Sequence, residues 1–201
     1  MSYLDLTHPF TANMPVYPGD AQPKLKRLVD QEGCVNHQLT TGMHVGTHMD
    51  GPEHMLDNAR QLVDLPIDHF FGHGVLLEAK NKTLDCHLLD NVSIQKGDVV
   101  LIHTGLSDKW GRDEYFVDYP EMTEDLAQAL VDRGVKMVGL DTPSPDSAPF
   151  KVHKLFLGND VLIIENLTNL SSLVGVNEFE VMALPLKIEA DSALARVVAK
   201  H

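Results

Sequence analysis

Thr123-Glu-Asp-Leu-Ala-Gln-Ala-Leu-Val-Asp-Arg-Gly-Val-Lys-Met-Val-Gly-Leu140 reads as a helix passed directly to a strand. Thr123 can cap the helix, and Glu124 and Asp125 suit the positive end of its dipole. Leu126, Leu130 and Val131 form one apolar stripe, and Gly134 can end the helix. Residues 135–140 then form a short run rich in Val, Met and Leu, the pattern of a buried strand. Working outward, similar runs recur at 75–79, 99–103, 161–164 and 181–188, the last broken by Pro185. Each is bounded by Gly, Pro, Asn or Asp. Residues 169–174 read as one further short helix. Strands outnumber helices, so the expected fold class is α/β: one domain over residues 1–201, with a mixed β-sheet and few helices.

Composition narrows the function. Of the 201 residues, 43% are apolar and spread along the whole length, which argues against disorder. Sixteen basic against 29 acidic residues leave a formal charge of −13, the wrong sign for nucleic acid or an anionic membrane surface. The charge says little about a small-molecule substrate, the partner that remains to be read from the motifs. Two cysteines, Cys34 and Cys86, are too few for a disulfide framework and read as small core fillers in a reduced, cytoplasmic protein. The first residues lack a basic segment followed by an apolar one, and no apolar run approaches the ~20 residues that span a bilayer.

Two loops are rich in turn formers, at 14–20 and 141–149. Pro143, Pro145 and Pro149 stiffen the second and exclude it from a central strand. Stiff loops at strand ends are places where sites are built.

The chemistry concentrates in His44-Val-Gly-Thr-His48-Met-Asp50-Gly-Pro-Glu-His54. As a helix, this segment would put Asp50 nearly opposite His44 and His48, and Gly46, Gly51 and Pro52 disfavour that conformation. As an extended strand, residues 44, 46, 48 and 50 share one face, so His44, His48 and Asp50 converge with Gly46 leaving space between them. Two imidazoles and a carboxylate are the usual protein ligands of a catalytic zinc with one position left open. The same trio serves as the facial triad of a mononuclear non-haem iron oxygenase. A non-catalytic metal-binding protein is a third reading. His54, beyond a Gly-Pro turn, is either a further ligand or a general acid/base. Downstream, His153 and Glu165 can complete a second metal position, the alternative for Glu165 being a solvated strand end. Ser144 and Asp146 either orient ligands or cap turns. Trp110 is read as a pocket wall or an interface residue, Phe70 and Phe71 as core, and His103 as a hydrogen-bonded core histidine.

The pattern His-x-Gly-Thr-His-x-Asp-x-Pro-x-His at 44–54 resembles the signature of the cyclase family of metal-dependent hydrolases, which includes bacterial kynurenine formamidase and isatin hydrolase. Pro15-Val-Tyr-Pro-Gly-Asp20, Gly139-Leu-Asp-Thr-Pro-Ser-Pro-Asp146, His153, Glu165-Asn-Leu-Thr-Asn-Leu170 and Ala183-Leu-Pro-Leu-Lys187 also fall in the family's order. The resemblance implies a swivelling β/β/α fold, assembled as a homo-dimer or homo-tetramer. It implies one or two divalent ions per subunit, zinc first and manganese second. His44, His48 and Asp50 would hold one ion, Asp50, His153 and Glu165 the other, and His54 would move the proton. The expected reaction is hydrolysis of an amide or cyclic amide. Two positions depart from the family pattern. Tyr17 stands where the formamidases carry a Trp against the substrate, and a Tyr can also stack there. The C-terminal stretch reads Glu189-Ala-Asp-Ser-Ala-Leu-Ala-Arg196 where the family has Gly-Ala-Asp-Gly-Ser-Pro-x-Arg.

Overall fold

The helix read at 123–133 is α1 (Glu124–Asp132), and its cap is in place: Thr123 Oγ1 accepts from the Leu126 backbone N–H at 3.3 Å. The strand after it is β7 (Met137–Leu140), buried at every position. The computed structural model describes residues 2–57, 59–80 and 83–201. The remaining strands are β1 (Tyr3–Asp5), β2 (Lys24–Val29), β3 (Val35–Thr40), β4 (His48–Asp50), β5 (Phe71–Glu78), β6 (Val99–His103), β8 (Leu162–Glu165), β9 (Glu180–Pro185) and β10 (Ser192–Lys200). A second helix, α2 (Lys151–Gly158), and several single 3-10 turns complete the chain. The short helix expected at 169–174 is one such turn, Leu170–Leu173. The architecture is α/β with a mixed sheet and few helices, as the patterning implied.

The main sheet runs β1-β10-β4-β8-β7-β6-β5-β9, and β9 also pairs with β10. Seven strands therefore close into a ring, with β1 attached to the outside of β10. Pairings from β5 to β8 are parallel, and the others are antiparallel. Side chains alternate across this ring, as period-2 geometry requires. Val99, Leu101, Met137, Leu162, Ile164, Val181 and Val197 fill one core. Val100, Ile102, Val138, Leu140 and Ile163 face the other way, against Leu126 and Leu130 of α1 and Phe156 of α2. Strands apolar on both faces read as continuous hydrophobic runs, which is why β6 and β7 were legible. Each such buried Leu or Phe contributes roughly 1.5–3 kcal/mol relative to exposure.

That alternation sets the site. On β4, Met49 joins the inner core, so His48 and Asp50 point outward. On β8, Ile164 points inward and Glu165 outward. In the β4–β8 register His48 stands opposite Glu165.

Some expectations are corrected. Cys34 and Cys86 are exposed, not core, because neither lies on an inward-facing position of the ring. Phe70 is core, but Phe71 is 37% exposed at the start of β5. β2 and β3 form a separate hairpin whose Leu25, Val29, Val35 and Leu39 are exposed.

Candidate metal centre

Residues 44–47 are not the start of an extended strand. Only His48–Asp50 is β-structure, and the segment before it bends at Gly46, whose φ is +69°. The positive φ favours glycine here, and a Cβ on Gly46 would lie 2.4 Å from Met14 Cε, so the end of the Met14 side chain would have to move aside for any other residue. The bend, rather than a shared pleat, swings His44 toward Asp50. His44, His48 and Asp50 still converge, with ligand atoms within 4.8 Å of one another.

Each converging imidazole is held by one nitrogen, which leaves the other free for the cluster. His48 Nδ1–H donates to the Gly46 carbonyl at 2.7 Å. His153 Nδ1–H donates to Asp146 Oδ1, and His44 Nε2–H to Asp191 Oδ2 at 2.8 Å. The free nitrogens then face carboxylates. His44 Nδ1 lies 3.0 Å from Asp50 Oδ1. His48 Nε2 lies 3.4 Å from Asp50 Oδ1 and 3.3 Å from Glu165 Oε2. His153 Nε2 lies 3.3 Å from Glu165 Oε1 and 3.9 Å from Asp50 Oδ2. His48, Asp50, His153 and Glu165 are all buried. No well-directed hydrogen bond reaches His48 Nε2 or either oxygen of Asp50.

Buried lone pairs that face one another without a donor require a positive charge between them. Protons can supply it in part. Burial lowers the affinity of His44 for a proton, but Asp50 and Asp191 outweigh it and push the pKa up to about 9. Burial likewise opposes charge on His153, and Asp146, Glu165 and Asp50 overcome it, to about 10. His48 is raised against burial by Asp50 and Glu165. Asp50 is depressed against burial by His48, His44 and His54. A divalent cation fits the same place better: imidazole nitrogens and carboxylate oxygens are the donors zinc and manganese accept. Ligand imidazoles anchored through their second nitrogen are the usual support of such a site.

The supports come from far along the chain. Asp146, in the proline-rich loop, accepts from His153 with Oδ1 and from the Val152 N–H with Oδ2 at 2.7 Å, so it orients a candidate ligand and the first turn of α2 together. Ser144 shapes the turn instead, donating to the Asp146 carbonyl at 2.6 Å. Asn166, beside Glu165, donates to the Gly46 carbonyl at 3.0 Å and accepts from the Tyr115 hydroxyl at 2.9 Å. Glu165 is not a solvated strand end.

A cavity of about 300 Å³ opens over the cluster. His44, His54, His153 and Glu165 form its floor, and Tyr17, Trp110, Phe116 and Phe150 line its walls. Trp110 is a pocket wall: its ring stacks on His8 at 4.1 Å and meets Tyr115 edge-on at 5.0 Å. Tyr17, 40% exposed at the rim, meets Phe116 edge-on at 5.9 Å. His103 is a buried histidine at the end of β6 and takes no part in this lining, but its Nδ1 has no hydrogen-bond partner, against the expectation of a hydrogen-bonded ring. Sequence reasoning missed Asp191, which contacts both His44 and His54. Its signal was present in the Glu189-Ala-Asp-Ser stretch, where Asp191 keeps the Asp of the family's Gly-Ala-Asp-Gly.

A family model described as putative cyclase matches residues 4–147. The chain belongs to this cyclase family. As a cyclase-family member it is 35% identical over 204 residues to an uncharacterized protein of Methanocaldococcus jannaschii, with 99% of both chains covered. It is 28% identical to a kynurenine formamidase of Erythrobacter litoralis, over 98% of this chain and 93% of that one. Among solved structures, one described as a potential metal-dependent hydrolase with cyclase activity superposes at a TM-score of 0.82, with 28% identity, 98% of this chain and 96% of that chain covered. Isatin hydrolase A from Labrenzia aggregata superposes at 0.88 with 23% identity over 98% and 93% of the two chains, a likeness of fold. Among the described residues of this cyclase-family chain, no helix is long and apolar enough to cross a membrane.

Proposed function

We propose that this chain is a metal-dependent hydrolase that cleaves the amide or cyclic amide bond of a small aromatic substrate. One observation carries the reading: His48 Nε2 and both Asp50 oxygens are buried without hydrogen-bond partners, against His44, His153 and Glu165, which line an aromatic-walled cavity. The relatives named as a formamidase and as hydrolases support it. In this reading His44, His48 and Asp50 hold one divalent ion. Asp50, His153 and Glu165 hold a second where two are present, zinc being the first choice and manganese the second. A bound ion there supplies Lewis-acid polarisation of a carbonyl and acidifies water toward pKa ~7. His54 receives a proton and passes it to the leaving nitrogen. Tyr17, Trp110 and Phe116 hold the flat substrate against the wall. The iron-oxygenase alternative uses only His44, His48 and Asp50. It leaves unexplained why His153 and Glu165 are buried against that trio. The exposed apolar face of the β2–β3 hairpin supports a homo-oligomer, which sedimentation can measure, and the two free cysteines support a reduced, cytoplasmic setting.

The test is metal analysis of the purified protein with hydrolysis of N-formylkynurenine, isatin and simple aryl formamides. Bound divalent metal and turnover of at least one amide are expected. His54→Ala is expected to keep the metal and lose about 10²–10⁴-fold in turnover. A protein without metal, or a fully active His54→Ala variant, overturns the reading.

A further inference from the structure

Asp191 lies just ahead of β10, at the point where that strand meets β4. Ser192 is opposite Asp50 in the register, and the Asp191 carbonyl accepts from the Gly51 N–H at 2.9 Å. The fit is tight: a Cβ on Gly51 would lie 3.1 Å from the Asp191 carbonyl oxygen and 3.0 Å from Leu62. The backbone of Asp191 is thereby fixed beside the turn Pro52–His54. Its side chain makes an unusual double contact. The single oxygen Oδ2 lies 2.8 Å from His44 Nε2 and 3.1 Å from His54 Nδ1. The two rings sit 4.1 Å apart, tilted by 38°.

From this shared oxygen we infer that Asp191 is a positioning residue: it fixes the tautomer and orientation of His54 relative to the metal ligand His44. The inference rests on the hydrolase reading, in which His54 moves the proton. A carboxylate only accepts, so both contacts require the hydrogen on the ring nitrogen. His54 then carries its hydrogen on Nδ1 and keeps the Nε2 lone pair free to take a proton, while His44 keeps Nδ1 free for the ion. Without the carboxylate, neither tautomer is set by the protein at this position, and the two rings lose their common anchor.

The experiment uses the zinc-loaded chain and three variants, Asp191→Ala, Asp191→Asn and Asp191→Glu, with circular dichroism to confirm folding. Side-chain ¹⁵N spectra are expected to show His54 protonated at Nδ1 in the wild type and shifted toward the Nε2–H form in Asp191→Ala. Turnover is expected to fall about 100-fold in kcat with KM little changed. Zinc stays bound with an affinity weakened within the ~10–100-fold range of lost supporting hydrogen bonds. Asp191→Glu is expected to restore the tautomer in part, and Asp191→Asn keeps the spectra readable if the alanine variant fails to fold. An unchanged His54 tautomer in folded Asp191→Ala, or in Asp191→Asn should the alanine variant not fold, overturns the inference, even where zinc and activity are lost, because Asp191 would then support only the ion. If the wild-type chain hydrolyses no amide, the hydrolase reading fails on its own, and the ¹⁵N comparison still decides the role of Asp191.

Discussion

His48 stands opposite Glu165 across the β4–β8 pair, with Nε2 3.3 Å from Oε2, while its Nδ1–H is committed to the Gly46 carbonyl. In its neutral form the ring therefore presents a lone pair to a carboxylate. An unsatisfied buried polar group costs about 1–3 kcal/mol, and this pair shares its space with Asp50. The fold tolerates the arrangement only with positive charge in the cluster, brought by protons or by an ion.

The first consequence is a dependence of metal-free stability on pH. His44 and His153 have folded pKa values of about 9 and about 10, above the ~6.5 of an unfolded histidine. Their contribution is full below pH ~6.5 and is lost as pH rises through about 9 to 10. Asp50 is depressed, so its contribution is present above its ordinary pKa of ~4 and is lost on further acidification. The chelator-treated protein should melt highest between these limits, with Tm falling on both sides. A Tm that rises steadily from pH 7 to 10 would contradict the assignment of charge.

Asp146 anchors His153 and the first turn of α2 together. Asp146→Ala should weaken metal binding by about 10–100-fold, the usual effect of losing the partner of a ligand imidazole. Competition titration against a chromophoric chelator reads this directly. Unchanged affinity would show that His153 needs no partner, and would argue against its place as a ligand.

Two separate effects bear on Gly46, and variants at two positions separate them. Gly46→Ala places a side chain at φ +69°, which costs about 1–2 kcal/mol, and drives its Cβ onto Met14 Cε. Thermal unfolding should shift down by several degrees, since 1 kcal/mol moves a chain of this size by ~2–4 °C. Met14 is buried, so Met14→Ala alone is the reference: the double variant lacks the collision and should melt below that single variant by the backbone cost only. A double variant as stable as Met14→Ala alone would mean that the turn itself is unstrained.

Much of this was legible in the chain. Strands buried on both faces announce themselves as apolar runs, and α1 carries its own cap and stop. The trio at 44–50 was recognisable because its ligands lie within seven residues, although their convergence depends on the bend at Gly46 and on Met14 behind it, which no local pattern reveals. Glu165 looked ambiguous because burial at the end of β8 depends on β4 lying alongside. Asp191 was overlooked for a similar reason. Its neighbours His44 and His54 are 147 and 137 residues away, and only the β10–β4 register brings them together. Trp110 could be a wall or an interface until His8, about a hundred residues earlier, was seen to stack behind it.

The pairing of β9 with β10 closes the ring. Every strand in it thus has a neighbour on each side over at least part of its length, which limits the free N–H and C=O groups open to another molecule. Open edges otherwise invite strand addition and aggregation. Among the described strands, only the three-residue β1 and the β2–β3 hairpin keep an unpaired edge. On the hairpin, β2 carries Lys24, Lys26 and Arg27, charges of the kind that discourage edge-to-edge association. Strand addition to the folded chain finds its fully open edges at these two places, and β4, which carries His48 and Asp50, is paired on both sides by β10 and β8.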